Sequence, residues 1–182
     1  MRIRVRGLGW FAPECKTLGW IGRYGTGRTA LTPSGDTSQS RIQLSNLQIG
    51  AVTAICLVLW LRDVYFIVEN PKGSVMPELE PLKQFLKFVK QERPLVTTYM
   101  GAFGGESCKP LNFWGSWIHA RSLSRKMPRD KTQLSSKKGA WTQGKPDALT
   151  SSSAYPENFG AAIAKVFEHE KFGPASTQPT FS

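Results

Sequence analysis

The chain has 182 residues, of which 40% are apolar, and it carries 24 Lys and Arg against 13 Asp and Glu, a net charge of +11. That length fits a single domain with tails, and the charge favours either contact with nucleic acid or another polyanion, or a solvated surface with basic tails. The three widely spaced cysteines exclude a disulfide framework and predict a reducing intracellular compartment, the cytoplasm or the nucleus. His119 and His169 have no partner at ligand spacing, so the sequence predicts no metal site.

Residues 1–40 are predicted to form a low-complexity, disordered leader. Glycines and prolines recur through it, and only Ile3 and Val5, set between arginines, favour a short strand. The segment Gly22–Gly27 has the glycines of a phosphate-binding loop, but no convincing strand precedes it and no apolar helix follows it. We therefore favour disorder over a phosphate loop for this segment.

A helix is predicted to begin at Ser45 or Asn46, either of which can cap it, and to run to about Leu61. Its body from Ile49 onward is almost wholly apolar, yet it is too short for a bilayer, which needs about 20 residues. This pattern predicts a helix that is buried against a sheet, and it predicts no membrane partner.

The run Val64–Val68 is apolar throughout and too short for a helix, which predicts a strand that is buried on both faces. A carboxylate, an amide and a proline follow it directly. In open α/β sheets, ligands bind beyond the carboxyl ends of the strands. The candidate site therefore consists of Glu69 as the catalytic group and of four residues that shape its corner: Asn70, Pro71, Gly73 and Gly104.

Further elements follow in alternation. A helix with apolar residues at helical spacing is predicted from Pro81 to near Glu92, and the segments Leu95–Met100 and Leu111–Trp114 are predicted strands that form a hairpin around a glycine-rich turn. The alternation predicts a doubly wound α/β sheet of partial Rossmann-like type with flanking helices. A last helix is predicted to open at Pro156. The predicted domain covers residues 41–173, with a disordered tail at 174–182.

Residues 116–150 are predicted to form a basic, mobile loop within this domain. Basic side chains near tryptophans suit phosphate contact combined with base stacking. A long surface loop without a ligand is the alternative. Cys108, just before this region, is predicted to be an incidental thiol. The candidate nucleic-acid-binding residues of the loop are Arg121, Arg125, Lys126, Arg129, Lys131, Lys137 and Lys138.

Three motifs together resemble phage-type cytosine-C5 DNA-methyltransferase-like proteins. They are the segment Phe66–Gly73 with its Glu-Asn-Pro-Lys-Gly corner, the segment Tyr99–Gly104 followed by Lys-Pro-x-x-x-Trp at 109–114, and Ser-x-Tyr-Pro at 153–156 before an Ala-rich helix. The resemblance covers about residues 45–170 and concerns the second half of the methyltransferase fold. In that family the strand-end Glu contacts the ring nitrogen of a flipped cytosine, beside the carbon that the catalytic Cys attacks. The resemblance assigns this role to Glu69 and a turn-fixing role to Asn70.

The chain departs from this family in two ways. No Pro-Cys dipeptide, the family's nucleophile motif, occurs in it, and the residues before the first helix are too few for the cofactor-binding strands and helices. The resemblance therefore implies a methyltransferase-like half-domain that is not catalytic alone and binds no cofactor, with S-adenosylmethionine expected only if a partner chain supplies the missing half. The alternatives are a basic nucleic-acid-binding module and one half of a split DNA cytosine methyltransferase. Half a sheet also predicts self-association through its open edge.

Overall fold

The computed structural model describes residues 7–19, 23, 25–105, 109–126 and 154–172. Over these residues the chain is a mixed α/β protein with a four-stranded sheet and flanking helices. The strands are β1 (Leu8–Phe11), β2 (Tyr65–Pro71), β3 (Val96–Tyr99) and β4 (Pro110–Gly115), and the helices are α1 (Ser40–Leu61), α2 (Glu80–Phe88) and α3 (Glu157–Phe172). Short 3₁₀ helices cover Met76–Glu78, Met100–Phe103 and Ile118–Leu123.

The sheet is mixed, so the predicted α/β class with flanking helices is confirmed at that level only. The strand order is β1-β2-β4-β3; β1 and β2 pair in parallel, whereas β4 is antiparallel to both β2 and β3. The predicted hairpin of β3 and β4 is confirmed. Because the turn between them is short, β4 can return only antiparallel to β3, and it then lies between β2 and β3.

The first 40 residues are not a disordered leader where the structure describes them. β1 lies within them and pairs with β2, and Leu18 is fully buried in the core. The loop after β1 is held by polar contacts, for example from the Arg28 guanidinium to Asn46 Oδ1 at 2.8 Å and from the Asp36 backbone N–H to Thr26 O at 2.8 Å. These polar contacts stabilise a segment that lacks the apolar residues to be held by core packing. The short strand predicted around Ile3 lies outside the described residues, as does the predicted disordered tail at 174–182.

The core has two layers because β2 is buried on both faces, as predicted. Phe66 and Val68 point to the layer that α1 and α2 cover, while Ile67 points to the opposite layer. That second layer is closed by α3 through Phe159 and by the 3₁₀ helix Ile118–Leu123. The start of the predicted mobile loop is thus part of the core, with Trp117 completely buried.

Helix α1 begins at Ser40, several residues before the predicted cap, and only one of its faces is buried. The buried stripe packs on the sheet, whereas the opposite face exposes large apolar side chains: Leu44, Leu47, Ile55, Val58 and Leu61. The prediction that this helix is too short for a bilayer is wrong, because α1 has 22 residues and could cross a membrane by length and composition. The strand beside it, β1, pairs with one neighbour, β2, among the described strands.

Candidate functional site

Four strand ends meet at one edge of the sheet. The registers Phe11↔Val68 and Pro71↔Leu111 place the carboxyl ends of β1 and β2 beside the amino end of β4. The end of β3 joins them through the pair Tyr99↔Pro110. The sequence predicted a site at the end of β2, and the structure adds three further segments to the same edge.

Glu69 is the central group of this edge. Its side chain is only 3% exposed, although it is a carboxyl group. Burial raises the pKa of Glu69 to about 7, while the positive charge of Lys109 acts in the opposite direction on that pKa. The Tyr155 hydroxyl donates a hydrogen bond to Glu69 Oε2. Near neutral pH, therefore, a substantial fraction of Glu69 is protonated and able to donate a proton.

Cys15 is brought to the same edge by the loop that follows β1. Its carbonyl oxygen accepts hydrogen bonds from the backbone N–H groups of Leu18 at 3.1 Å and Gly19 at 2.9 Å, which fixes the loop as a tight turn. Burial raises the pKa of the Cys15 thiol, Lys109 lowers that pKa and Glu69 raises it. The thiol, the amine and the carboxyl group therefore form one electrostatic cluster, built from the ends of three strands.

Asn70 ties the cysteine loop to β2. Its buried Nδ2 donates to the carbonyl oxygen of Pro13 at 3.0 Å, while its buried Oδ1 has no hydrogen-bond partner among the described residues. The resemblance implied that Asn70 fixes a turn, and the turn it contacts is the one that carries Cys15. Gly73 adds a second tie, because its carbonyl oxygen accepts a hydrogen bond from Arg23 Nη2 at 2.7 Å.

Two glycines allow the start of α3 to approach this edge. Gly104 has φ +91°, a left-handed conformation that favours glycine, and a Cβ on Gly105 would lie 3.1 Å from Pro156 Cγ. Tyr155 therefore reaches the site from just before α3, with its ring centroid 5.6 Å from that of Phe159. Lys109 Nζ lies 5.6 Å from the centroid of the Tyr155 ring.

Among the predicted nucleic-acid-binding residues that the structure describes, Arg121 and Arg125 contact different parts of the structure. Arg121 lies with Lys90–Leu95 in a surface depression beside the start of β3, at the other end of the strands. Arg125 donates to the carbonyl oxygens of Ser122 and Ser124 and lies over the Phe103 ring. Lys126 is exposed. The remaining candidates, Arg129, Lys131, Lys137 and Lys138, lie outside the described residues, as does Cys108.

Three members of the site were missed in the sequence: Cys15, Lys109 and Tyr155. The short apolar segment Leu8–Phe11, followed closely by Pro13 and Cys15, could have indicated a strand that ends at a cysteine. Cys15 is not part of a Pro-Cys dipeptide, because Glu14 separates it from Pro13. Among the described residues no group of three His, Cys, Asp or Glu side chains could hold a metal ion. No family model, curated protein or solved structure matches the chain.

Proposed function

We propose that the chain carries the base-reacting half of a cytosine-C5 DNA-methyltransferase-like enzyme, with Cys15 as nucleophile and Glu69 as acid. The observation that supports this is the meeting of a thiol and a buried carboxyl group with a raised pKa at one sheet edge, where the charge of Lys109 acts on both groups. The motif resemblance assigned only Glu69 a role. A nucleophile arising from a Pro-x-Cys turn removes one of the two departures from that family.

The chemistry can be written with the chain's own groups. The Cys15 thiolate forms a bond to C6 of the pyrimidine, and the electron pair of the C5–C6 double bond moves into the ring as N3 takes the proton of Glu69. The product is a covalent enamine whose C5 is nucleophilic. When C5 takes a proton from water and then loses its original hydrogen, the ring expels the thiolate and Glu69 recovers its proton. The net result is exchange of the C5 hydrogen with water.

The step uses the less populated of two protonation states, because burial raises the pKa of the Cys15 thiol while the pKa of Glu69 is about 7. The reactive form, a thiolate beside a carboxylic acid, holds the same number of protons as the alternative form, a thiol beside a carboxylate. Among the sites that hold one proton, the fraction in the reactive form is therefore independent of pH. Lys109 stabilises the single negative charge in either form. Because the pKa of Glu69 is raised to about 7, the singly protonated site becomes dominant above that pH.

We propose that this chain does not bind S-adenosylmethionine by itself. Within the described parts of the chain, no glycine-rich turn joins a strand directly to a helix; the turn at Gly25–Gly27 is joined to Asp36 by backbone contacts, well before α1 begins. We therefore derive no methyl-transfer step for this chain. The proposal places the methyl donor on a partner chain, as in a split enzyme.

DNA is the proposed substrate class, since a buried reactive edge requires a base that has left the helix stack. The net charge of +11 supports contact with the phosphate backbone. Arg121, Arg125 and Lys126 are the described members of the proposed contact region.

The exchange reaction tests the proposal without any cofactor. DNA with tritium at C5 of cytosine should release tritium to water in the presence of the wild-type chain. Cys15→Ser should abolish the release, and Glu69→Gln should slow it about 100-fold or more, the range expected for a lost general acid. Release at the wild-type rate by Cys15→Ser, or no release by the folded wild type, would overturn the proposal.

A matched pair of thiols gives the control. Cys56 is completely buried in α1, away from the site edge, so Cys56→Ala should leave the exchange rate unchanged.

Glu69→Gln should have opposite effects on two reactions of Cys15. It removes the carboxylate that raises the thiol's pKa, so alkylation by iodoacetamide should become faster while exchange becomes slower. A damaged fold would also expose the half-buried thiol and speed its alkylation, so the urea midpoint of Glu69→Gln has to show that the variant is folded.

A further inference from the structure

Tyr155 makes a contact with Glu69 that neither the resemblance nor the proposed chemistry uses. Its hydroxyl donates a hydrogen bond to one oxygen of the Glu69 carboxyl group, Oε2. The contact links residues far apart in sequence, since it runs from the segment before α3 to the end of β2. It is therefore a product of the tertiary fold rather than of a local turn.

We infer that Tyr155 is a positioning residue, which holds Oε2 of Glu69 so that the proton of the carboxyl group is carried on Oε1. The inference rests on the proposed function, in which Glu69 donates that proton to a base. A hydrogen-bond donor on one carboxyl oxygen disfavours protonation of the same oxygen, because the two hydrogens would meet. Tyr155 thereby selects the oxygen that acts as acid and fixes the plane of the carboxyl group.

The ring of Tyr155 is itself held in place. It packs on Phe159, the residue by which α3 closes the second core layer, and Lys109 lies over its face. The close contact of Pro156 with Gly105 fixes the backbone next to it. Since 40% of Tyr155 is exposed, the ring also forms the solvent side of the site, beside the carboxyl group that it orients.

Among the residues that the structure describes, three titratable groups face Glu69 from the elements around it. They are Cys15 from the loop after β1, Lys109 from the start of β4, and Tyr155 from the segment before α3. A hydroxyl that donates to the charged carboxylate stabilises it, so its removal should raise the pKa of Glu69. A hydrogen bond to a charged group is strong enough for a rise of about one pH unit.

The experiment is a carbon-13 NMR titration of the Glu69 carboxyl group, assigned by its loss in Glu69→Gln. Tyr155→Phe keeps the ring and should raise the titration midpoint by about one pH unit. Tyr155→Leu removes the ring as well and should raise the midpoint at least as much. Tyr99→Phe, at the end of β3 on the same edge, should leave the midpoint unchanged. An unchanged midpoint in Tyr155→Phe, or a change only in Tyr155→Leu, would show that Tyr155 serves packing alone.

The failure of this inference can be told apart from the failure of the proposed function. The titration requires no DNA, so it decides the contact even if the wild type releases no tritium. Where tritium is released, Tyr155→Phe should lower the rate at saturating DNA about tenfold with an unchanged KM, because the hydroxyl orients the acid and does not bind the base. A wild-type rate in Tyr155→Phe would overturn the positioning role while leaving Cys15 and Glu69 in theirs.

Discussion

The substitution Glu69→Gln should stabilise the protein at pH 8 and change it little at pH 5. The folded pKa of about 7 lies above the ordinary value of 4.5, so the folded state holds its proton more tightly than the unfolded state. The contribution of Glu69 to the free energy of unfolding is therefore fully present below its unfolded-state pKa of 4.5, and it is lost as the pH rises through about 7. At 1.36 kcal/mol per pH unit, the charged carboxylate costs about 3 kcal/mol at pH 8, and the neutral amide avoids that cost.

Urea unfolding, followed by tryptophan fluorescence, measures this difference. With a urea dependence of about 2 kcal/mol per molar, Glu69→Gln should raise the midpoint by about 1.5 M at pH 8 and by less than about 0.5 M at pH 5. Glu92→Gln, at an exposed position, is the control and should shift neither midpoint. A lower midpoint for Glu69→Gln at both pH values would mean that the carboxylate holds the corner in place, and it would refute the reasoning from burial.

Three further predictions concern the cation of the site, the open face of α1 and the basic loop. Lys109→Met should raise the pKa of Cys15, because it removes the charge that lowers that pKa; the pH midpoint of iodoacetamide alkylation should move upward, and a downward move would contradict the cluster. Leu47→Lys, on the exposed apolar face of α1, should reduce concentration-dependent association in analytical ultracentrifugation. An unchanged distribution of sedimentation coefficients would show that this face does not mediate self-association. Replacing Lys137 and Lys138 by Gln should weaken DNA binding for all sequences, and each lost phosphate contact should flatten the log–log salt dependence by about 0.9; an unchanged slope would remove these two residues from the interface.

The sequence predicted elements whose patterns are strong. Within the run Val64–Val68, which contains only apolar or aromatic residues, Phe66–Val68 proved to be the completely buried part of β2. The apolar stripe of the last helix packs on the second core layer through Phe159. The helix before β3 was also predicted, although it ends at Phe88 because Lys90 takes a left-handed conformation. In these cases local periodicity was enough.

The errors arise where structure depends on contacts between distant residues. β1 is four residues long with a glycine inside it, so only its parallel pairing with β2 makes it a strand. Without β1 the loop that carries Cys15 had no defined place, and its tie through Asn70 to Pro13 spans 57 positions. The direction of β4 likewise follows from pairing and not from composition. Glu69 was found because it follows directly from the strongest strand in the chain.

Covalent trapping at Cys15 tests the central claim most directly. DNA containing 2-pyrimidinone in place of cytosine lacks the amino group that makes C6 less electrophilic, so a thiolate can add to it without a methyl donor. After incubation with the wild-type chain, intact mass analysis should show a one-to-one adduct, and peptide mapping should place it on Cys15. Cys15→Ser should form none, whereas Cys56→Ala should react as the wild type does. An adduct on another residue, or none with folded wild-type protein under conditions where DNA binds, would contradict the assignment of Cys15 as the nucleophile of this site.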